Sequence, residues 1–149
     1  MSIKKISAMA IAGILVASSF TAVAQDAYVA PTTPEEALAM RKAMMRENGG
    51  VLRSAGSLSG AEAVAAMQTL HDNFSHIPDV FPEGSIVGDS EALPAIWENW
   101  EDFTAIAETG RQAAADAIAA AEAGDSAAYA AALKTLGGTC GQCHQQFRS

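Results

Sequence analysis

Residues 140–149 read Cys140-Gly141-Gln142-Cys143-His144-Gln145-Gln146-Phe147-Arg148-Ser149, and the rest of the chain is read outward from them. Cys-x-x-Cys-His is the attachment signature of c-type haem. Each thiol adds across one haem vinyl to give a thioether, and the adjacent imidazole ligates the iron. On a helix, Cys140, Cys143 and His144 stand at i, i+3 and i+4, so all three share one face. A single rigid element then holds the haem at its edge and at its centre. One haem c per chain is the expected cofactor.

Other chemistries use the same residues. Cys140 and Cys143 could form a disulfide, a thioredoxin-like redox pair or half of a zinc site. A redox pair is expected near a βαβ pattern, and no stretch here reads as a strand. A structural zinc site needs four ligands, and beyond the motif only His71 and His76 remain. The histidine directly after the second cysteine favours haem.

Residues 1–24 read as a secretory signal peptide. Lys4 and Lys5 form a positive n-region, Ala8 to Phe20 is mostly apolar, and Ala22-Val23-Ala24 offers the small-x-small cleavage pattern. The apolar run is short of the ~20 residues that a membrane span needs. Removal leaves residues 25–149 as one domain, with no internal repeat and enough chain for a real core. Export fits the haem motif, because bacterial attachment to Cys-x-x-Cys-His occurs outside the cytoplasmic membrane. The two features together point to the periplasm.

The formal charge of −8 becomes about −10 without Lys4 and Lys5, and the remaining basic residues form no cluster beyond the adjacent Arg41-Lys42. Nucleic acid and anionic membrane surfaces are therefore not expected partners. An acidic surface could steer a basic redox partner, and it is also common in soluble exported proteins.

Alanine with Met, Leu and Glu favours helix, and four helical segments are expected. The first opens at Thr33-Pro34-Glu35-Glu36, an N-cap with proline at N1 and a capping-box Glu at N3. Leu38, Met45 and Leu52 recur at seven, as do Met44 and Val51, giving one apolar face. Gly49-Gly50 is a point where this helix could loosen. The second opens at Ser59-Gly60-Ala61-Glu62, another capping box, and carries Val64, Met67, Leu70, His71 and Phe74. Residues 77–93 hold two prolines and two glycines and read as a long loop. The third runs from near Pro94 to the C′ glycine Gly124, carrying Ile96, Trp97, Trp100, Phe103 and Ile106. Within it Gly110 reads as a mild weakness, about 1 kcal/mol against alanine in an exposed helix. The fourth opens at Asp125 or Ser126 and includes Leu133, Leu136, Cys140, His144 and Phe147. Short connections favour antiparallel packing, so the fold class is all-α, an antiparallel up-and-down four-helix bundle with covalently bound haem.

Only five residues follow His144, so a second axial ligand is expected from upstream: Met40, Met44, Met45, Met67, His71 or His76. Spacing alone does not choose among them, and each methionine could equally be core packing.

The chain resembles the class II c-type cytochromes, the cytochrome c-prime family, over essentially all of residues 25–149. The residues that carry the resemblance are the Pro34-Glu35-Glu36 helix start, Arg41 four residues before Met45, Phe81-Pro82, Ile96-Trp97 and the terminal Cys140-x-x-Cys143-His144-x-x-Phe147-Arg148. The terminal motif is specific, and the others agree in order and spacing. The resemblance implies a four-helix bundle with haem held inside it. It places Met45 at the distal position opposite the proximal ligand His144. It gives Arg41 the role of pairing with a haem propionate, for which its forked donors suit a carboxylate. It gives Arg148 a proximal-side role. Relatives often pair as homodimers through the first two helices.

The family divides at the distal residue. High-spin members leave the iron five-coordinate and bind nitric oxide or carbon monoxide, whereas in the low-spin c-556 type a methionine there ligates the iron. Met45 permits either arrangement, and the run Met45-Arg46-Glu47-Asn48-Gly49-Gly50 looks more like the low-spin group. The expected function is electron transfer with an unidentified redox partner. The alternative is a five-coordinate binder of nitric oxide or carbon monoxide, with Met45 not ligating. No nucleophile–base constellation points to an enzyme.

Overall fold

The computed structural model describes residues 28–149; the expected signal peptide, residues 1–24, lies outside them. Four long helices and one short one follow in order: α1 (Pro34–Ala55), α2 (Gly60–Ser75), α3 (Ala95–Glu98), α4 (Trp100–Ala123) and α5 (Ser126–Phe147). A 3-10 turn, Pro78–Val80, leads the connection from α2 to α3. The long helices form a four-helix bundle, and no helix of the described residues is long and apolar enough to cross a membrane.

The start of α1 follows its sequence. Thr33 is extended, its hydroxyl accepts from Glu36 N–H at 3.2 Å, and Pro34 takes the first turn, where no N–H is needed. Glu36 departs from the capping box by one residue. Its carboxylate accepts from the N–H and hydroxyl of Thr32, at 2.8 and 2.7 Å, rather than from Thr33. Gly49-Gly50 does not loosen the helix, which continues to Ala55. At Ser59 the expected capping box does not form. Ser59 makes no side-chain cap bond, and Gly60 enters α2 at φ +54°.

The expected third helix is two. Asn99, at φ −129° and ψ 48°, separates α3 from α4. Its side-chain amide and its own N–H both donate to the Ala95 carbonyl, at 3.1 and 3.0 Å. Such local side-chain bonding competes with a continuous helical ladder. The break leaves Trp100 38% exposed, although its helical spacing predicts a core position. The bend from α4 to α5 was legible: Gly124 is left-handed at φ +68°, and Asp125 caps Ala127 and Ala128.

Packing centres on α4. Its buried stripe of Ala107, Gly110, Ala113, Ala114, Ala117 and Ala120 lets α2 and α5 approach closely on either side. Gly110 is buried, not an exposed weak point, and faces the ring of Phe74. By contrast α1 packs on α2 and meets α5 only marginally. Asn73 of α2 ties the first pair by donating to Asn48 and Glu47 of α1, at 2.8 and 2.9 Å. Tyr129 of α5 donates to the Ala55 carbonyl at 3.2 Å, joining the start of α5 to the end of α1. Beyond α5, Ala92 and Arg148 form an antiparallel bridge, while Leu93 N–H donates to Phe147 and Ser149 N–H to Glu91.

Candidate functional site

The site is built from the last two turns of α5 and the first half of α1. On α5 the buried stripe of Ala132, Leu136 and Thr139 continues through Cys143 to Phe147. Cys140 and Cys143 are half-buried at the margin of the core, and both thiols are free. No disulfide joins them. Burial raises both thiols, and Cys143, with Cys140 beside it, is pushed up to about 11. A redox dithiol needs the opposite, a depressed thiol that is thiolate near neutrality. Among the described residues no group of three or more His, Cys, Asp or Glu could hold a metal ion, so the zinc arrangement is not assembled.

His144 is exposed on the same face of α5. Partial burial, and then the Arg148 charge, lower its imidazole, while Glu91 opposes them. A neutral imidazole is the form that ligates a metal. Gly137 and Gly141 stand seven and three residues before His144 on this face. A side chain begun at either would meet nothing within 4 Å, so this face of the helix is open bare backbone.

The candidate axial ligands from upstream lie in different surroundings. Met67 is fully buried and Met44 nearly so, both inside the core cluster. His71 contacts Asp72 through Nδ1 and Arg111 through Nε2, each at 3.1 Å. His76 is bonded to Asp79 and stacked on Tyr28 at 3.6 Å. Met40 and Met45 remain half-buried at the edge of the core. Of these two, Met45 lies one turn beyond Arg41.

Arg41 is 5% exposed, and burial lowers its guanidinium from the ordinary value. Nη1 donates to Ser85 Oγ at 3.2 Å, and Nη2 to the Ser85 carbonyl at 2.6 Å and to Ser90 Oγ at 3.5 Å. Its Cζ lies 4.7 Å from the centre of the Phe81 ring. Among the described residues no ion pair includes it. A buried charge that lacks a counterion is costly, which makes Arg41 a natural partner for the carboxylate of a bound group. Neither Ser85 nor Ser90 was singled out by the sequence. The local signals are the loop glycines Gly84 and Gly88, at φ +81° and +56°.

Arg148 lies just beyond the helix. The helix ends at Phe147, and Arg148 is extended at φ −130° and ψ 140°. Its side chain pairs with Glu91 at 2.6–2.7 Å. Its charge still reaches His144, through proximity and not through a shared helical face. Two surface clefts, of about 420 and about 750 Å³, lie between α2 and α4 and include none of the motif residues.

The motif, the bare helix face and the unpaired buried arginine all fit haem, and they define a c-type haem protein built on a helical bundle. Residues 33–148 match the family model described as Cytochrome C′. The chain belongs to the cytochrome c′ family. It is 42% identical over 116 residues to a cytochrome c-556 of Agrobacterium tumefaciens (strain B2A), covering 72% of this chain and 93% of that protein. It is 31% identical over 148 residues to the cytochrome c′ of Rhodospirillum rubrum, covering 95% and 97% of the two chains. Among solved structures, a cytochrome c′ described as having an unusual ligand-controlled dimer dissociation superposes with a TM-score of 0.73. The two are 25% identical, and the match covers 80% of this chain and 99% of that one. Haem c is the cofactor.

Proposed function

We propose that this cytochrome is a periplasmic electron carrier in which Cys140 and Cys143 hold the haem covalently, His144 is the proximal ligand and Met45 the distal one. The observation that carries the reading is the position of Met45. It is half-buried on α1, one turn beyond the buried, charge-unpaired Arg41. If Arg41 meets a haem propionate at the edge of the group, one helical turn carries residue 45 towards its centre. Bound haem supplies a one-electron Fe(III)/Fe(II) couple whose potential follows its axial ligands and surroundings. The chain's part would be to offer the His144 imidazole and the Met45 thioether to the iron, so that little would rearrange on electron transfer, and to pair a propionate with Arg41. Arg148 would act on the proximal side through its charge near His144. The periplasmic placement rests on the signal-like residues 1–24 and on where haem is attached, with residues 25–149 as the mature domain. A homodimer through α1 and α2 belongs to the same reading.

The test is the optical spectrum of the purified holoprotein, oxidised and reduced, with and without carbon monoxide. A split low-spin reduced spectrum, a weak far-red oxidised band from iron–sulfur ligation and no response to carbon monoxide are expected. A broad high-spin spectrum that shifts with carbon monoxide would overturn Met45 ligation and favour a binder of nitric oxide or carbon monoxide.

A further inference from the structure

Arg41 is gripped by its far end. Of its five N–H donors, three are taken: one on Nη1 by Ser85 Oγ, and two on Nη2 by the Ser85 carbonyl and Ser90 Oγ. All three acceptors are neutral. They orient the charge without cancelling it. Ser85 is itself fully buried, and the Arg41 guanidinium is the partner of its hydroxyl. A buried hydroxyl in a loop would be costly without such a partner.

The loop that carries Ser85 is fixed from several sides. Ser85 N–H donates to the Pro82 carbonyl at 3.2 Å, and the Trp97 indole N–H donates to the Phe81 carbonyl at 3.0 Å. Lys42, next to Arg41 on α1, pairs with Asp89 in the same loop. The Phe81 ring closes one face of the guanidinium.

We propose that Ser85 is a positioning residue for Arg41: its hydroxyl holds Nη1 so that the guanidinium charge stays oriented, with an unclaimed N–H left for a carboxylate oxygen. This rests on the reading in which Arg41 pairs with a haem propionate. A guanidinium fixed in advance loses little side-chain freedom when its partner arrives. A guanidinium kept at the propionate offsets negative charge near the iron and so favours the reduced state. Removing the Ser85 hydroxyl frees Nη1, while the Ser85 carbonyl keeps Nη2, and the loosened charge weakens that compensation.

The test is a double-mutant cycle on the midpoint potential of the holoprotein, measured by spectroelectrochemistry for wild type, Ser85→Ala, Arg41→Gln and the double variant. The expected result is a lower potential in Ser85→Ala, a larger fall in Arg41→Gln, and no further fall in the double variant. Arg41→Lys, which keeps the charge without the fork, stands in if Arg41→Gln does not mature. A lower potential in Arg41→Gln with none in Ser85→Ala would overturn the role of Ser85 and leave the propionate pairing intact. Equal falls from Ser85→Ala in both backgrounds would also overturn it, because the effect would not pass through Arg41. An unchanged potential in Arg41→Gln would overturn the pairing itself, and the proposal with it. Loss of thermal stability in Ser85→Ala at constant potential would reduce Ser85 to a loop-packing residue.

Discussion

Gly110 of α4 lies against the ring of Phe74 of α2, so close that a Cβ on Gly110 would stand 2.2 Å from Phe74 Cε1. The two helices cross there because one of them has no side chain. Alanine elsewhere in an exposed helix would gain about 1 kcal/mol over glycine. Here the added methyl must displace a ring that is only 6% exposed, and overpacking costs about 1–3 kcal/mol. Gly110→Ala is therefore expected to destabilise the holoprotein, with a fall in Tm of roughly 5 °C. Adding Phe74→Leu should recover part of the loss. A Tm at or above wild type in the single variant would show that the crossing relaxes freely.

The carboxylate of Glu36 accepts from the N–H and hydroxyl of Thr32, which hold it below its ordinary value of 4.5, the backbone bond contributing most. The folded state thus favours the ionised form. Its contribution to stability is present above the ordinary carboxylate range and is lost as pH falls through the lowered folded value. Glu36→Gln should be less stable than wild type at neutral pH, and the gap should close on acidification below about pH 4.5. Denaturation midpoints across that range measure it. A gap that persists unchanged at pH 2–3, where the unfolded Glu is protonated, would assign the effect to shape instead of charge.

The parts of the fold that were legible are those fixed by local chemistry. Thr33-Pro34 caps α1, Gly124-Asp125 turns α4 into α5, and Cys140, Cys143 and His144 share one helical face because of their spacing. The parts that were not depend on contacts far along the chain. Arg41 and Asn48 lie in the buried stripe of α1, yet hydropathy periodicity passes over both, since their burial depends on Ser85 and Asn73. Gly110 reads as a defect until Phe74 is placed opposite it. Asn99 breaks a stretch whose aromatic spacing predicts one continuous helix, through a bond to Ala95 that no apolar pattern encodes.

Two thioethers should be separable. Cys140 and Cys143 are both half-buried on the same side of α5 and remain unjoined to one another. Cys143→Ala is expected to leave haem attached through Cys140 alone, with one vinyl still conjugated. The denatured haem adduct should then absorb at longer wavelength than that of wild type, while haem stays with the polypeptide through acid extraction. In the double variant Cys140→Ala/Cys143→Ala, extraction should remove all haem. Haem that survives extraction from the double variant would refute attachment at these residues.

Met45→Leu addresses the iron's sixth position directly. Leucine and methionine have similar volume, and such exchanges in a core usually cost less than about 1.5 kcal/mol. Met45 is only half-buried, so the fold should survive the change. If the Met45 thioether ligates the iron, its loss converts a low-spin haem to high-spin, abolishes the far-red oxidised band and opens a position for carbon monoxide. The midpoint potential should fall as well, because a methionine ligand raises it. Met40→Leu serves as the control, since Met40 is also half-buried on α1 but lies one residue before Arg41, not one turn after it. It should leave the spectrum unchanged. A low-spin spectrum retained in Met45→Leu and lost in Met40→Leu would transfer the ligand to Met40; spectra unchanged in both would place the sixth ligand on neither.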